Sequence, residues 1–325
     1  MNWFNYIVGF VVIILLGQLY QRYLQKNKND EVTEHYEIVK KYLLNDSSLA
    51  NAKKPILWIH VENGINARNW QSWGSRNTDC INQPYLYLTI KSIVDKCGGS
   101  FNIVLINDDT FANILPGWTI DIRGVAEPIK KYIRTLALSR ILYYYGGLLV
   151  PPSTICFQDL HNVPYNGLSY SDALIGEYID KSVHSGDVVY SPNTRFMGCL
   201  KGSETMKDFC EYLELLISKD YTDEANFLGE CSNWWSHKVL EGKAGIISAK
   251  ELGVQIPAGP MNIEKLLGET IYPLFPETTS VYIPQEDLLN RLKYQWFARQ
   301  SPEQVLEGNC FISILFLGAL APLSS

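Results

Sequence analysis

Residues 130–160 read KKYIRTLALSRILYYYGGLLVPPSTICFQDL, and the fold can be read from this stretch first. Ile129, Tyr132, Ile133, Leu136, Ala137, Ile141 and Tyr144 recur at three- and four-residue spacing, which predicts a helix. Leu138, Leu142 and Tyr145 add a second apolar face, so the helix is expected to be buried on most sides. Gly146-Gly147 ends it, because glycine reaches the left-handed backbone a helix C-terminus needs. Leu148-Leu149-Val150 then reads as a short buried strand, which Pro151-Pro152 closes because proline cannot donate to a strand ladder. Helix, glycine turn and strand end together form a unit that often delivers residues to an α/β active site.

The run Leu142-Tyr143-Tyr144-Tyr145-Gly146-Gly147 and the strand after it resemble the sugar-nucleotide-binding region of glycosyltransferases with the GT-A fold. The resemblance is to the type that includes capsular-polysaccharide and DXD sugar-binding-region transferases. Their pattern runs, roughly, Asp-x-x-Arg on the helix, Leu-Tyr-x-Tyr-Gly-Gly, an apolar strand, then Asp-x-Asp or Asp-Ala-Thr. Here the helix aspartate falls on Thr135 and the helix arginine on Leu138, while the strand-end carboxylates fall on Pro151 and Ser153. In the family those positions hold the sugar nucleotide and its metal. Over roughly residues 55–240 the resemblance implies an α/β fold with a GT-A-like mixed sheet flanked by helices. It implies a nucleotide sugar and a glycan or protein acceptor as ligands, with Mn²⁺ or Mg²⁺ only if the chain is active. No metal ligand is assigned, because the DXD motif is degenerate. Proteins with this degenerate pattern also look like those encoded by large DNA viruses, which would suit a virion or host internal membrane.

The 325 residues allow one large domain or two small ones. Hydrophobic residues make up 46% and aromatic residues 12%, ample for a core, and the formal charge of -6 argues against a nucleic-acid partner. The charge is uneven: residues 1–29 carry Arg22, Lys26 and Lys28 and no acid, so the rest is more acidic than the whole. The seven cysteines, Cys80, Cys97, Cys156, Cys199, Cys210, Cys231 and Cys310, form no CxxC pair, and several sit beside apolar residues. They read as buried free thiols of a reducing compartment rather than as a disulfide framework or a metal cluster.

Residues 3–20 hold the uncharged run Ile7-Val8-Gly9-Phe10-Val11-Val12-Ile13-Ile14-Leu15-Leu16, with Trp3, Phe4 and Tyr6 before it and Tyr20 and Tyr23 after it. That length and those aromatic flanks suit a membrane-spanning helix. A cleaved signal peptide would need a basic start and a small-x-small cleavage site, and neither is present. The expected organisation is an N-terminal transmembrane anchor over residues 1–23, a stalk over 24–54, a transferase-like domain over 55–309 and an apolar tail over 310–325. All the flanking charges follow the span, so the positive-inside rule places the body of this single-pass protein in the cytosol. The sequon Asn45-Asp46-Ser47 should then stay unmodified. Expression in a eukaryotic host should leave Asn45 without a glycan, and a mobility shift on endoglycosidase treatment would show the opposite orientation.

The body opens with a buried strand, Ile56-Leu57-Trp58-Ile59-His60-Val61, followed by a helix over 84–97 and a second strand over 101–106. Asn107-Asp108-Asp109-Thr110 then starts another short helix. Strands alternating with helices predict a parallel sheet covered on both faces, with the ligand crevice at the strand C-terminal ends. That puts His60, Glu62, Asn107, Asp108, Asp109 and Ser153 near one rim. The donor-side candidates are His60, Asp108, Asp109, Lys130, Arg134, Gly146, Gly147 and Ser153. Each also has a plain structural role: Asp108 and Asp109 as helix caps, His60 as a satisfied strand-end residue, Lys130 and Arg134 as helix-solvating charges, Ser153 as a turn residue. Lys130, Arg134 and Arg140 are the cations that could hold a diphosphate without metal. No Ser/His/Asp spacing argues for a hydrolase.

Residues 190–203 look like the family's acceptor-side segment, a strand leading into a helix over 204–217. The acceptor-side candidates are Asp223, Glu224, Glu230, Trp234 and Trp235; their structural alternative is a capped helix with two core tryptophans. Residues 293–299, KYQWFAR, form an aromatic-basic patch that suits a protein partner or a membrane surface, or an amphipathic helix with its aromatics in the core. Residues 311–323 are apolar but too short to span a bilayer, and read as an interfacial or core segment. Two functional classes follow. One is a membrane-anchored glycosyltransferase moving sugar from a nucleotide donor. The other is a catalytically inactive, transferase-like scaffold with a structural or interaction role.

Overall fold

A computed structural model describes residues 54–62, 83–161, 168, 170–180, 188–219 and 223–321. The proposed anchor, the stalk up to residue 53 and Cys80 lie outside these residues. Strand β1 (Ile56–His60) is buried at every position, as an uninterrupted apolar run requires. Helix α1 (Tyr85–Cys97) leads to β2 (Asn102–Ile106), which runs parallel to β1 with Ile56 opposite Asn102 and His60 opposite Ile106. A 3₁₀ turn (Asp108–Thr110) and the short helix α2 (Phe111–Ile114) follow. Helix α3 (Ile129–Tyr145) ends at the glycine pair, and β3 (Gly147–Leu149) pairs in parallel with β1.

Beyond β3 the chain forms β4 (Thr154–Cys156), β5 (Ala173–Ile179), β6 (Tyr190–Cys199), α4 (Glu204–Ser218), α5 (Glu224–Leu240) and β7 (Ala244–Ile247). A small hairpin, β8 (Gln255–Ile256) with β9 (Gly259–Pro260), precedes α6 (Ile263–Leu266). Strand β10 (Ser280–Tyr282) pairs with β4, and α7 (Gln285–Asn290), α8 (Gln295–Ala298), α9 (Pro302–Leu306) and α10 (Phe311–Leu320) complete the fold.

The central sheet has the order β2-β1-β3-β6-β5-β7. The sheet is mixed, as the family resemblance implied, and not the purely parallel one that strand-helix alternation alone suggests: β6 runs antiparallel to both β3 and β5. The segment between β5 and β6 is too short for a helical crossover, and without one two neighbouring strands must run in opposite directions. Strand β6 also outruns its neighbour. Leu149 pairs with Met197, so residues 190–196 continue past the C-terminal end of β3.

Packing decides between the alternatives left open for two apolar segments. Helix α10 takes the core alternative rather than an interfacial one. Phe311, Ile312, Leu315, Phe316 and Ala319 sit in one core cluster with Leu86, Ile155, Ile256 and Phe297, so the body runs at least to Leu320. No helix among the described residues is long and apolar enough to cross a membrane. In the 293–299 patch, Tyr294, Phe297 and Ala298 are buried while Trp296 is exposed, so the aromatics divide between core and surface.

Cys97, Cys156, Cys199, Cys210, Cys231 and Cys310 are free thiols, the first five buried. Burial pushes the thiols of Cys210 and Cys231 up to about 12, which suppresses the reactive thiolate. Cys97 Sγ and Cys156 Sγ lie 3.8 Å apart as hydrogen-bonded thiols, not as a disulfide. All seven cysteines should titrate with a thiol reagent after denaturation. A count short by two would indicate a disulfide, with Cys97 and Cys156 the pair placed to form it.

Candidate functional site

The register of the parallel strands brings three strand ends together. Val61 N–H donates to the Ile106 carbonyl and Val150 N–H to the Trp58 carbonyl, so residues 60–62, 107–108 and 150–153 leave the sheet side by side. A cavity of about 310 Å³ opens at this edge. Its walls are the ends of β1 and β3, one stripe of α3 (Lys131, Arg134, Thr135, Leu138), the overhanging part of β6 (Asn193, Thr194, Arg195), the start of α5 (Glu224, Phe227, Leu228) and α7 (Gln285, Glu286, Leu289, Asn290). A crevice beyond the strand C-terminal ends is where α/β sheets place ligands.

Asp108 does not line the cleft itself but is bound by two residues that do, His60 and Arg134. Arg134 Nε donates to both carboxylate oxygens at 2.9 and 3.1 Å, and Arg134 Nη2 donates to Oδ2 at 2.7 Å. His60 Nε2 lies 3.0 Å from Oδ1, and since an ionised carboxylate only accepts, Nε2 carries the proton. The His60 ring stacks on Phe111 at 5.5 Å. Burial works to raise the Asp108 pKa, but the hydrogen bonds from His60 and Arg134 outweigh it and hold the carboxyl well below the usual range. Burial likewise works against the Arg134 charge, and the Asp108 hydrogen bonds with the nearby Glu62, Asp108 and Glu127 charges overcome it.

The guanidinium serves further carboxylates as well. Arg134 Nη1 is 3.1 Å from Glu62 Oε2 and 3.6 Å from Glu127 Oε1, ion-pair contacts that form no hydrogen bond. Arg134 is only 7% exposed, so it is not the helix-solvating charge its sequence position allowed. Two more ion pairs cross the cleft walls. Lys131 Nζ donates to Glu224 at 3.1 and 3.2 Å, and Arg195 Nη2 donates to Glu286 at 2.6 Å.

The remaining donor-side candidates divide. Ser153 lines the cleft but is 1% exposed, with its hydroxyl unpartnered and its carbonyl accepting from Ile283 N–H. Neighbouring Pro152 accepts from Thr89 Oγ1 at 2.7 Å, which ties the strand end to α1. Asn107, not Asp108 or Asp109, caps the 3₁₀ turn: its side chain accepts from Thr110 N–H, and the Thr110 hydroxyl takes the Asn107 N–H in return. Asp109 is exposed and does not line the cleft. Lys130 does not line it either, and Arg140 turns to Glu214 at 2.6 Å. Gly146 and Gly147 lie behind the cleft as structural elements. The Gly146 carbonyl accepts from Trp58 Nε1 at 2.9 Å, and a Cβ on Gly147, at φ +105°, would lie 2.1 Å from the Ile56 carbonyl oxygen.

Of the acceptor-side candidates, Glu224 alone lines the cleft. Asp223 caps α5 through Ala225 N–H, Glu230 accepts from Tyr212 Oη at 2.9 Å, and Trp234 and Trp235 pack on Phe209 with ring centres 4.9 and 5.0 Å away. Lys131, Arg195 and Glu286 went unremarked in the sequence. Arg195 lies inside the acceptor-like segment, which was its one signal. Glu286 lies in a region that resembles no known feature.

The cleft does not suit the metal that the resemblance implies. Among the described residues no three His, Cys, Asp or Glu side chains are grouped to hold a cation. The strand end offers Pro151, Pro152 and Ser153, and the nearby carboxylate of Asp108 has its oxygens taken by Arg134 and His60. Hard divalent ions need several free oxygen ligands.

No family model matches the chain, and no curated protein matches it. Among solved structures, galactosyltransferase LgtC in complex with donor and acceptor sugar analogs is similar at 12% identity and a TM-score of 0.36, covering 78% of this chain and 99% of that one. An active-site mutant of LgtC gives 14% identity and a TM-score of 0.35 over the same shares. Similarity of this size establishes neither a shared fold nor a shared activity.

Proposed function

We propose that the chain is a glycosyltransferase-like protein whose cleft holds a sugar ligand, and that metal-dependent sugar transfer by it is absent or very weak. One observation carries this reading. The cleft sits beyond the C-terminal ends of the parallel strands, where a sugar nucleotide would be expected, yet Asp108, the carboxylate just behind its lining, is closed off by a bidentate arginine. Opening Asp108 to a cation would strand a buried guanidinium, and breaking such a pair costs about 3–5 kcal/mol. The tyrosine-rich helix end with Gly146-Gly147 supports the family resemblance, and the mixed sheet with flanking helices is compatible with it.

The non-catalytic form of this reading has its own support. Every carboxylate lining the cleft among the described residues, Glu62, Glu224 and Glu286, has a cationic nitrogen within 3.2 Å, so none stands ready as a general base. A scaffold that retains sugar binding and lacks transfer fits that pairing. The hydrophobic run of residues 7–16 supports tethering to a membrane, with the body on the cytosolic side.

Titration calorimetry with a panel of UDP- and GDP-sugars, with and without Mn²⁺, tests the proposal. The metal is expected to change affinity by less than about tenfold, or about 1.4 kcal/mol. A larger gain, abolished in Asp108→Ala or Asp109→Ala, would identify a working metal site and overturn the reading.

A further inference from the structure

The charges of the cleft cancel within its own walls. Among the described residues its cations are Lys131, Arg134 and Arg195, and its carboxylates are Glu62, Glu224 and Glu286. Lys131 is spent on Glu224 at 3.1 Å and Arg195 on Glu286 at 2.6 Å. Arg134 is spent on Asp108 at 2.7 Å and Glu62 at 3.1 Å, and with Asp108 counted the surroundings lean negative. A nucleoside diphosphate brings multiple negative charges. It would have to pull a cation away from its carboxylate or sit beside carboxylates already there, and like charges in a partly desolvated cleft repel strongly.

An uncharged polyol meets no such barrier. Carboxylates and guanidinium groups in ion pairs keep spare lone pairs and N–H groups for hydroxyls. Asn193 and Thr194 on β6 and Gln285 and Asn290 on α7 add amides and a hydroxyl to the lining, with Asn193 Oδ1 already accepting from Arg195 N–H and Gln285 Nε2 donating to Gln83, and Phe227 and Leu289 supply apolar surface. A few placed polar groups on an apolar lining are what small neutral ligands require. We infer that the cleft selects an uncharged saccharide over a nucleoside diphosphate. This deepens the reading of the cleft as a sugar site and rests on it.

The test uses the full chain in a polyoxyethylene detergent, which has no sugar headgroup, and no divalent ions. Calorimetry with UDP is expected to give a Kd weaker than about 1 mM for the wild type. The double variant E224Q/E286Q frees Lys131 and Arg195, and UDP should bind it at least about tenfold more tightly. An array of uncharged mono-, di- and trisaccharides should yield a ligand for the wild type. Wild-type UDP affinity at or below about 1 mM overturns the inference but leaves the sugar-site reading standing. No gain in E224Q/E286Q overturns it as well, because the carboxylates would then not be what excludes the diphosphate. If neither UDP nor any uncharged saccharide binds the wild type, the inference and the sugar-site reading both fail.

Discussion

Asp108→Ala is expected to destabilise the folded chain by about 3 kcal/mol at pH 7, which removing one partner of a buried ion pair typically costs. The side chain of Arg134 is 9% exposed and that of Asp108 18%, so solvent can replace little of what is lost. Glu62 and Glu127 remain near the guanidinium, which keeps the cost at the lower end of the usual range. Urea unfolding should show a lower midpoint at an unchanged slope.

The pH dependence has a definite sign. The folded Asp108 pKa is depressed below the ordinary 3.8, so its contribution is fully present above about pH 4. It is lost as pH falls through the folded value. The gap between wild type and Asp108→Ala should therefore be constant from pH 7 to pH 5 and close only in stronger acid. A gap below about 1 kcal/mol at pH 7 would show the pair to be no more than a surface bridge.

Gly147→Ala carries the other large effect, a loss of about 4 kcal/mol. Roughly half comes from forcing an L side chain to a left-handed φ, here +105°. The other half comes from the overlap of its Cβ with the Ile56 carbonyl oxygen at 2.1 Å, a backbone atom fixed by the β1–β3 pairing. Gly99→Ala is the control, since a Cβ there meets nothing within 4 Å, and its effect should stay within about 1 kcal/mol. Equal melting temperatures for the two variants would contradict this account of the turn.

The anatomy of the cleft explains which functional residues the sequence exposed. His60 ends one apolar strand and Asp108 follows another, and a strand end is a local signal, so both could be placed on one rim in advance. Arg134 could be seen as a cation of the helix, but not as buried, because the stripe Lys131, Arg134, Thr135 and Leu138 is only one of several that the spacing of α3 permits. Tyr144, expected on the apolar face, is 38% exposed for the same reason.

What the sequence determined by itself was local: the period of α3, its stop at Gly146-Gly147, the apolar strands on either side and the uncharged Pro151-Pro152-Ser153 at the strand end. Those features depend on backbone geometry and side-chain spacing within a few residues. Only the tertiary structure decided that β6 runs antiparallel and overhangs the strand ends, that α10 belongs to the core, and that Lys131 meets Glu224 and Arg195 meets Glu286. These partners lie 93 and 91 residues apart in the chain. No helical or strand period reaches that far, so whether a lysine or arginine stands free for a phosphate or is already neutralised depends on chain packing, which local spacing does not encode.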